Sequence, residues 1–252
     1  MTDRAAGKGC RGTDGTRFNF TRRQLLKGAL GIASSAGLAG LSGLSYAAAL
    51  TKEERDKMTP DEVLVSLQAG NQRFRTGKME DHDFLAQKRA SARGQYPAAA
   101  IVSCIDSRTP AEILLDQGLG EVFNARVAGN ICNDDILGSL EFACAAAGSK
   151  AILVMGHTSC GAVKGAIDGV ELGNLTGLLN HIEPAIEATE YEGDRSSKNA
   201  EFVNMVAITN VRRAVDDIRQ RSQVLSEMEK EGKIKIAGAL YHLDDGRLEM
   251  LG

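Results

Sequence analysis

Two short clusters, Cys104-Ile105-Asp106-Ser107-Arg108 and His157-Thr158-Ser159-Cys160, each at the end of an apolar run, constrain this 252-residue chain more than anything else in it. The first follows Ala98-Ala99-Ala100-Ile101-Val102 and the second follows Ala151-Ile152-Leu153-Val154-Met155-Gly156. Short apolar runs of this kind read as buried strands. If the chain stays extended, the period of two places Cys104, Asp106 and Arg108 on one side. The second cluster leads into Gly161-Ala162-Val163-Lys164-Gly165-Ala166, so His157 and Cys160 are expected where a helix begins, their offset of three bringing both side chains to one face of a turn. Two strand ends of a parallel sheet then point their side chains into one crevice, where open α/β sheets usually keep their sites. Cys104, Asp106, His157 and Cys160 together offer two thiols, an imidazole and a carboxylate, a donor set suited to a four-coordinate zinc ion. One cysteine after a strand would read as a small buried hydrophobe. The joint pattern reads as a metal site.

Periodicity elsewhere supplies the frame. Thr59-Pro60-Asp61-Glu62 is a capping-box start with Pro at the first helical position, opening a helix expected to end between Gly70 and Gly77. A second amphipathic segment covers residues 83–93, and helical patterns cover residues 175–188 and 200–221. Ile234 to Leu240 reads as a strand, followed by a turn at Asp244-Asp245-Gly246 and a final strand over residues 247–251. Strands alternating with helices predict an α/β fold with a mostly parallel central sheet flanked by helices. His82, His181, placed within a helix, and His242 read as surface or packing residues. A formal net charge of -3 and the lack of a basic stripe exclude a nucleic-acid partner.

The N-terminus carries a different message. Thr21-Arg22-Arg23-Gln24-Leu25-Leu26-Lys27 is a twin-arginine pattern, followed by a stretch rich in Gly, Ala, Ser and Leu and then by Ala47-Ala48-Ala49. This reads as a cleaved export signal over residues 1–49, with one α/β domain over residues 50–252. The stretch from Gly28 to Ala49 is only mildly apolar, which argues against a permanent membrane anchor. The expected location is periplasmic or otherwise extracytoplasmic, and the partner in transit is the twin-arginine (Tat) export machinery. That route carries folded proteins, so zinc could be loaded where thiols stay reduced. Beyond the signal, Cys132 and Cys144 are left over, and a disulfide between them stays open at this point.

The clusters resemble those of the β-class carbonic anhydrases. The resemblance extends over residues 59–252: Gly70-Asn71-Gln72-Arg73-Phe74 is similar to the family's Asn-x-x-Phe element. Pro110, Gly118, Gly120, Glu121, Phe123, Arg126 and Ala128-Gly129-Asn130 follow its Pro-x-x-Leu, Gly-x-Gly-Asp-x-Phe and Arg-x-Ala-Gly-Asn elements, with Glu121 for the usual Asp. Ser139-Leu140-Glu141-Phe142, Gly156-His157-Thr158-Ser159-Cys160-Gly161-Ala162 and Gly238-Ala239-Leu240-Tyr241 are similar to further family motifs.

The resemblance implies zinc held by Cys104, His157 and Cys160, with Asp106 either the fourth ligand or paired with Arg108. It implies reversible hydration of carbon dioxide to bicarbonate and a proton by zinc-bound hydroxide, with Asp106 and Arg108 catalytic. It implies N-terminal helices that pack on a partner subunit in a homodimer or tetramer. Part of the family is locked by bicarbonate through a pocket with a Trp three residues before the first Cys. Ile101 stands there in this chain, so that control is not expected. No proton shuttle is assignable. Two alternatives share these residues: hydrolysis of carbonyl sulfide or carbon disulfide on the same scaffold, and a closed zinc site without catalysis, against which the presence of Arg108 argues.

Overall fold

The computed structural model describes residues 49–252, all within one compact unit. The twin-arginine segment, and with it all but the last residue of the expected signal, lies outside the described residues. Three N-terminal helices come first: α1 (Lys52–Lys57), α2 (Pro60–Arg75) and α3 (Phe84–Ser91). The expected capping box opens α2, with Thr59 Oγ1 accepting from Glu62 N at 3.3 Å and Thr59 N donating to Glu62 Oε2 at 2.8 Å. A second box, Thr51 with Glu54, opens α1, an element with too few apolar positions to stand out in the sequence.

The sheet comprises β1 (Ala99–Ser103), β2 (Val122–Arg126), β3 (Ala151–His157), β4 (Lys235–Tyr241) and β5 (Leu248–Leu251), in the order β2-β1-β3-β4-β5. The pairs β1–β2, β1–β3 and β3–β4 are parallel, and only the β4–β5 hairpin is antiparallel. Every residue of β1 and β3 is buried, as strands covered on both faces must be. Ile101, Leu153, Met155 and Ala239 pack on one face under Val63, Leu64 and Leu67 of α2 and Leu114 of α4 (Ala111–Leu114). Ala100, Val102, Ile152 and Val154 pack on the other under α5 (Asp134–Glu141), a π-helical turn (Phe142–Ala146), α9 (Ala200–Arg221) and α10 (Gln223–Lys230). Glycine permits the close approach of α9: a Cβ on Gly156 would lie 2.5 Å from Val211 Cγ2, and one on Gly238 2.7 Å from Val211 Cγ1.

Helices α6 (Gly161–Ile167), α7 (Gly173–Leu179) and α8 (Glu183–Ala188) close the remaining core with the first half of α9, around Phe202, Val206 and Ile182. The single helix expected over residues 175–188 is therefore two, α7 and α8. His181 sits in the turn between them rather than inside a helix, and Pro184 near the start of α8 accounts for the restart. No helix among the described residues is long and apolar enough to cross a membrane. Strand order reverses between β1 and β3, because the chain leaves β1 toward β2 and returns past it. The crevice at that reversal receives both donor clusters.

Candidate metal centre

β1 ends at Ser103, and the chain turns at Asp106–Thr109, so it does not stay extended as a strand-period alignment of Cys104, Asp106 and Arg108 would require. Thr109 N and Thr109 Oγ1 both donate to the Asp106 carbonyl at 3.0 Å, closing the turn. The turn folds Arg108 back on Asp106. Arg108 N and Nε donate to Asp106 Oδ1 at 3.0 and 2.9 Å, and Arg108 Nη2 donates to Oδ2 at 2.7 Å. Arg126, at the end of β2, braces the same loop, its Nε donating to the Cys104 carbonyl at 2.9 Å and its Nη2 to the Asp106 carbonyl at 2.6 Å.

On the other side of the crevice His157 is the last residue of β3, and Cys160 is the N-cap of α6. The expectation of one helical turn carrying both is thus corrected. A tight turn through Thr158 and Ser159 brings them together, with Ser159 in the left-handed region at φ 55°. That conformation is costly for a non-glycine residue and is held here by Ser159 N donating to Asn204 Oδ1 of α9 at 2.9 Å. Asn204 has no signal in the sequence, since only the tertiary fold brings α9 over this turn. His157 Nδ1 donates to the Thr158 carbonyl at 2.9 Å, which fixes the ring with Nε2 toward the cysteines.

Cys104, His157 and Cys160 are all buried, and one donor atom from each lies within 4.8 Å of the others. The Cys104 and Cys160 sulfurs are 4.0 Å apart. His157 Nε2 is a buried nitrogen with no hydrogen-bond partner, an arrangement that costs free energy unless something else binds it. An unpartnered imidazole nitrogen aimed at two thiols fits a zinc-type ion. Asp106 does not join this trio. Its carboxylate rests on Arg108, with Oδ2 3.8 Å from His157 Nε2, so the structure has the paired arrangement and not the four-ligand one.

The electrostatics follow from these contacts. Hydrogen bonds from Arg108 hold the Asp106 carboxyl well below the usual carboxylate range against a smaller effect of burial. The Cys160 thiol next to Cys104 favours the Cys104 thiolate, which burial opposes and which the neighbouring His157 and then the Gly129 N–H, 3.4 Å from the sulfur, support. Cys160 is pushed the other way by Cys104 and by burial, so the metal-free pair shares a proton. Cys132 and Cys144 are free buried thiols, each pushed up to about 12 by burial, and form no disulfide. His82 is bonded to Asp116, and His242 to Glu249 and Arg247, in keeping with packing roles.

The family model described as carbonic anhydrase matches residues 99–248. Carbonic anhydrase 2 of Mycobacterium tuberculosis is 36% identical over 188 residues, covering 72% of this chain and 88% of the relative. The carbonic anhydrase of Mycolicibacterium smegmatis is 34% identical over 187 residues, covering 73% and 90%. Among solved structures, one of the tetrameric β-carbonic anhydrases of Sordaria macrospora superposes with a TM-score of 0.58 at 27% identity, over 64% of this chain and 83% of that one. These matches take in the parallel sheet and both donor clusters, and the chain accordingly belongs to the β class of the carbonic anhydrases, as an enzyme of that family.

Proposed function

We propose that the chain is a zinc enzyme that reversibly hydrates carbon dioxide to bicarbonate and a proton, with Cys104, His157 and Cys160 holding the metal. The observation that carries this reading is the buried, unpartnered His157 Nε2 facing two thiols, with the Asp106 carboxylate beside it and held off by Arg108. Three protein donors for an ion that takes four are the mark of a catalytic and not a structural zinc site. Zinc bound there supplies the Lewis acidity that makes water nucleophilic near neutral pH.

The protein's own part is orientation. Asp106 Oδ1 accepts two hydrogen bonds from Arg108, whereas Oδ2 accepts one and keeps a lone pair on the side of His157. Oδ2 accepts a hydrogen bond from the attacking water and so fixes the direction of its lone pair toward carbon dioxide. Because Arg108 keeps the Asp106 carboxyl ionised far below neutrality, it remains an acceptor at working pH. The planar fork of Arg108 satisfies two carboxylate oxygens at once, which a lysine could not do.

Export and assembly belong to the same proposal. Arg22-Arg23 with its mildly apolar sequel supports delivery of the folded protein by the twin-arginine route to an extracytoplasmic compartment. A homodimer or tetramer is supported by the tetrameric relatives and by Phe84 and Leu85 on α3, which are 52% and 67% exposed in the single chain.

The test is a substrate panel on zinc-quantified protein: carbon dioxide, carbonyl sulfide and carbon disulfide. One zinc per chain with turnover dominated by carbon dioxide is the expected result. Zinc with preference for a sulfur substrate, or with no turnover on any of the three, contradicts the reading.

A further inference from the structure

We infer that Arg126 is a positioning residue for carbon dioxide hydration, acting by holding the backbone of the loop that carries Cys104 and Asp106; the inference rests on the roles proposed above for that loop. Ser103 and Arg126 are register partners at the ends of β1 and β2, and the last ladder bond between these strands runs from Val127 N to the Ser103 carbonyl at 3.0 Å. Past that point β1 makes no further ladder bond to β2. The Arg126 side chain takes over, and its Nε and Nη2 bind the carbonyls of Cys104 and Asp106 as two further rungs. One rigid fork fixes the two carbonyls together, so neither peptide can rotate without breaking a charge-assisted hydrogen bond.

These two peptides are the ones that matter. The first belongs to the residue presenting Sγ to Cys160 and His157, the second to the residue whose carboxylate stands 3.8 Å from His157 Nε2. Asp106 is thus gripped at both ends: Arg108 holds its carboxylate, and Arg126 with Thr109 holds its carbonyl. No carboxylate forms an ion pair with Arg126 among the described residues, so none competes with the loop for its guanidinium. Arg126 touches neither the three donors' side chains nor the carboxylate. Its effect on the reaction passes entirely through the backbone it holds.

The experiment compares wild type, Arg126→Ala, Arg126→Lys and Asp106→Ala, each zinc-quantified. It reads kcat and KM for carbon dioxide, the rate of zinc release to a chromogenic chelator, and circular dichroism. Arg126→Ala is expected to keep its circular dichroism, lose kcat by about 10–100-fold with KM little changed, and release zinc faster. Ethylguanidinium, small enough to enter the space vacated at this exposed position, should restore part of the kcat of Arg126→Ala and none of that of Asp106→Ala. Arg126→Lys, able to reach one carbonyl at a time, should fall between. Unchanged kcat and zinc release in Arg126→Ala would overturn the inference, as would a loss in folded protein that ethylguanidinium does not restore. Should Arg126→Ala fail to fold, Arg126→Lys decides by the same measurements, a wild-type kcat and zinc-release rate again counting against it. Absence of carbon dioxide hydration in wild type would strike the functional reading instead, leaving zinc release to judge Arg126.

Discussion

Four cysteines in the described chain divide by environment into two kinds. Cys104 and Cys160 face each other at 4.0 Å, and their mutual hydrogen bond makes the first proton easy to lose and the second hard. Cys132 and Cys144 lie in the apolar core between the sheet and α9, where burial pushes both up to about 12. At pH 7.5 the second pair is therefore fully protonated, and thiolate chemistry is confined to the first. Iodoacetamide labelling followed by mass spectrometry should find no labelled cysteine in the zinc-loaded enzyme, label on Cys104 ahead of Cys160 after chelation, and none on Cys132 or Cys144 until the protein is denatured. Early labelling of Cys132 would contradict this division. The sequence alone separated the pairs by motif, since Cys104 and Cys160 each follow an apolar run within a polar cluster. It could not decide whether Cys132 and Cys144 were joined, because that depends on the distance between the stretch before α5 and the π-helical turn after it, and not on spacing.

At the scale of elements, the motif Asn71-Gln72-Arg73-Phe74 has a packing meaning that only the fold reveals. Asn71 on α2 donates through Nδ2 to the Leu114 carbonyl at 3.1 Å and the Gly246 carbonyl at 2.9 Å, and accepts from Leu248 N at 2.9 Å. One buried amide thus ties α2 to α4 and to the β4–β5 hairpin. The neighbouring Gly70 lets α2 approach that closely, for a Cβ there would lie 1.9 Å from the Leu115 carbonyl oxygen. Asn71→Ala would orphan three backbone groups and should destabilise the protein by about 3 kcal/mol, read from the urea midpoint at unchanged m-value. A change below about 0.5 kcal/mol, the range of ordinary surface substitutions, would mean the amide is dispensable. The long periodic α9 was legible from sequence to the residue, and α2 at its capped start, its end only to within a few residues. The strand β2 was not, because as an edge strand its residues are only partly buried and Val122-Phe123-Asn124-Ala125-Arg126 lacks a clean alternation. The turn at Thr158-Ser159 escaped for another reason: a left-handed serine depends on a partner, Asn204, from a distant helix.

For the whole molecule, the fold class could be read from the order of apolar runs, since strands separated by helical stretches admit few topologies other than a parallel sheet. The convergence of the two clusters followed from the same logic, each lying at the C-terminal end of a strand on either side of the order reversal. What a sequence does not carry is the surface a second copy would cover. The exposed Phe84 and Leu85 on α3, with Phe142 58% exposed beside Phe123, leave apolar area uncovered in one chain. Light scattering on residues 50–252 should therefore give a mass of two or four times that of one chain. Phe84→Ser together with Leu85→Ser should shift it toward the smaller species, and a monomeric wild type would contradict the assembly.

The central claim is that a zinc site built by Cys104, His157 and Cys160 works through the neighbouring Asp106. Stopped-flow hydration of carbon dioxide between pH 6.5 and 9, on wild type and Asp106→Ala both carrying one zinc per chain, tests it most directly. The account predicts fast turnover in wild type and a loss of about 100-fold or more in kcat for Asp106→Ala, with zinc retained. Equal rates in the two proteins, or full zinc occupancy without turnover in wild type at any pH, would contradict it.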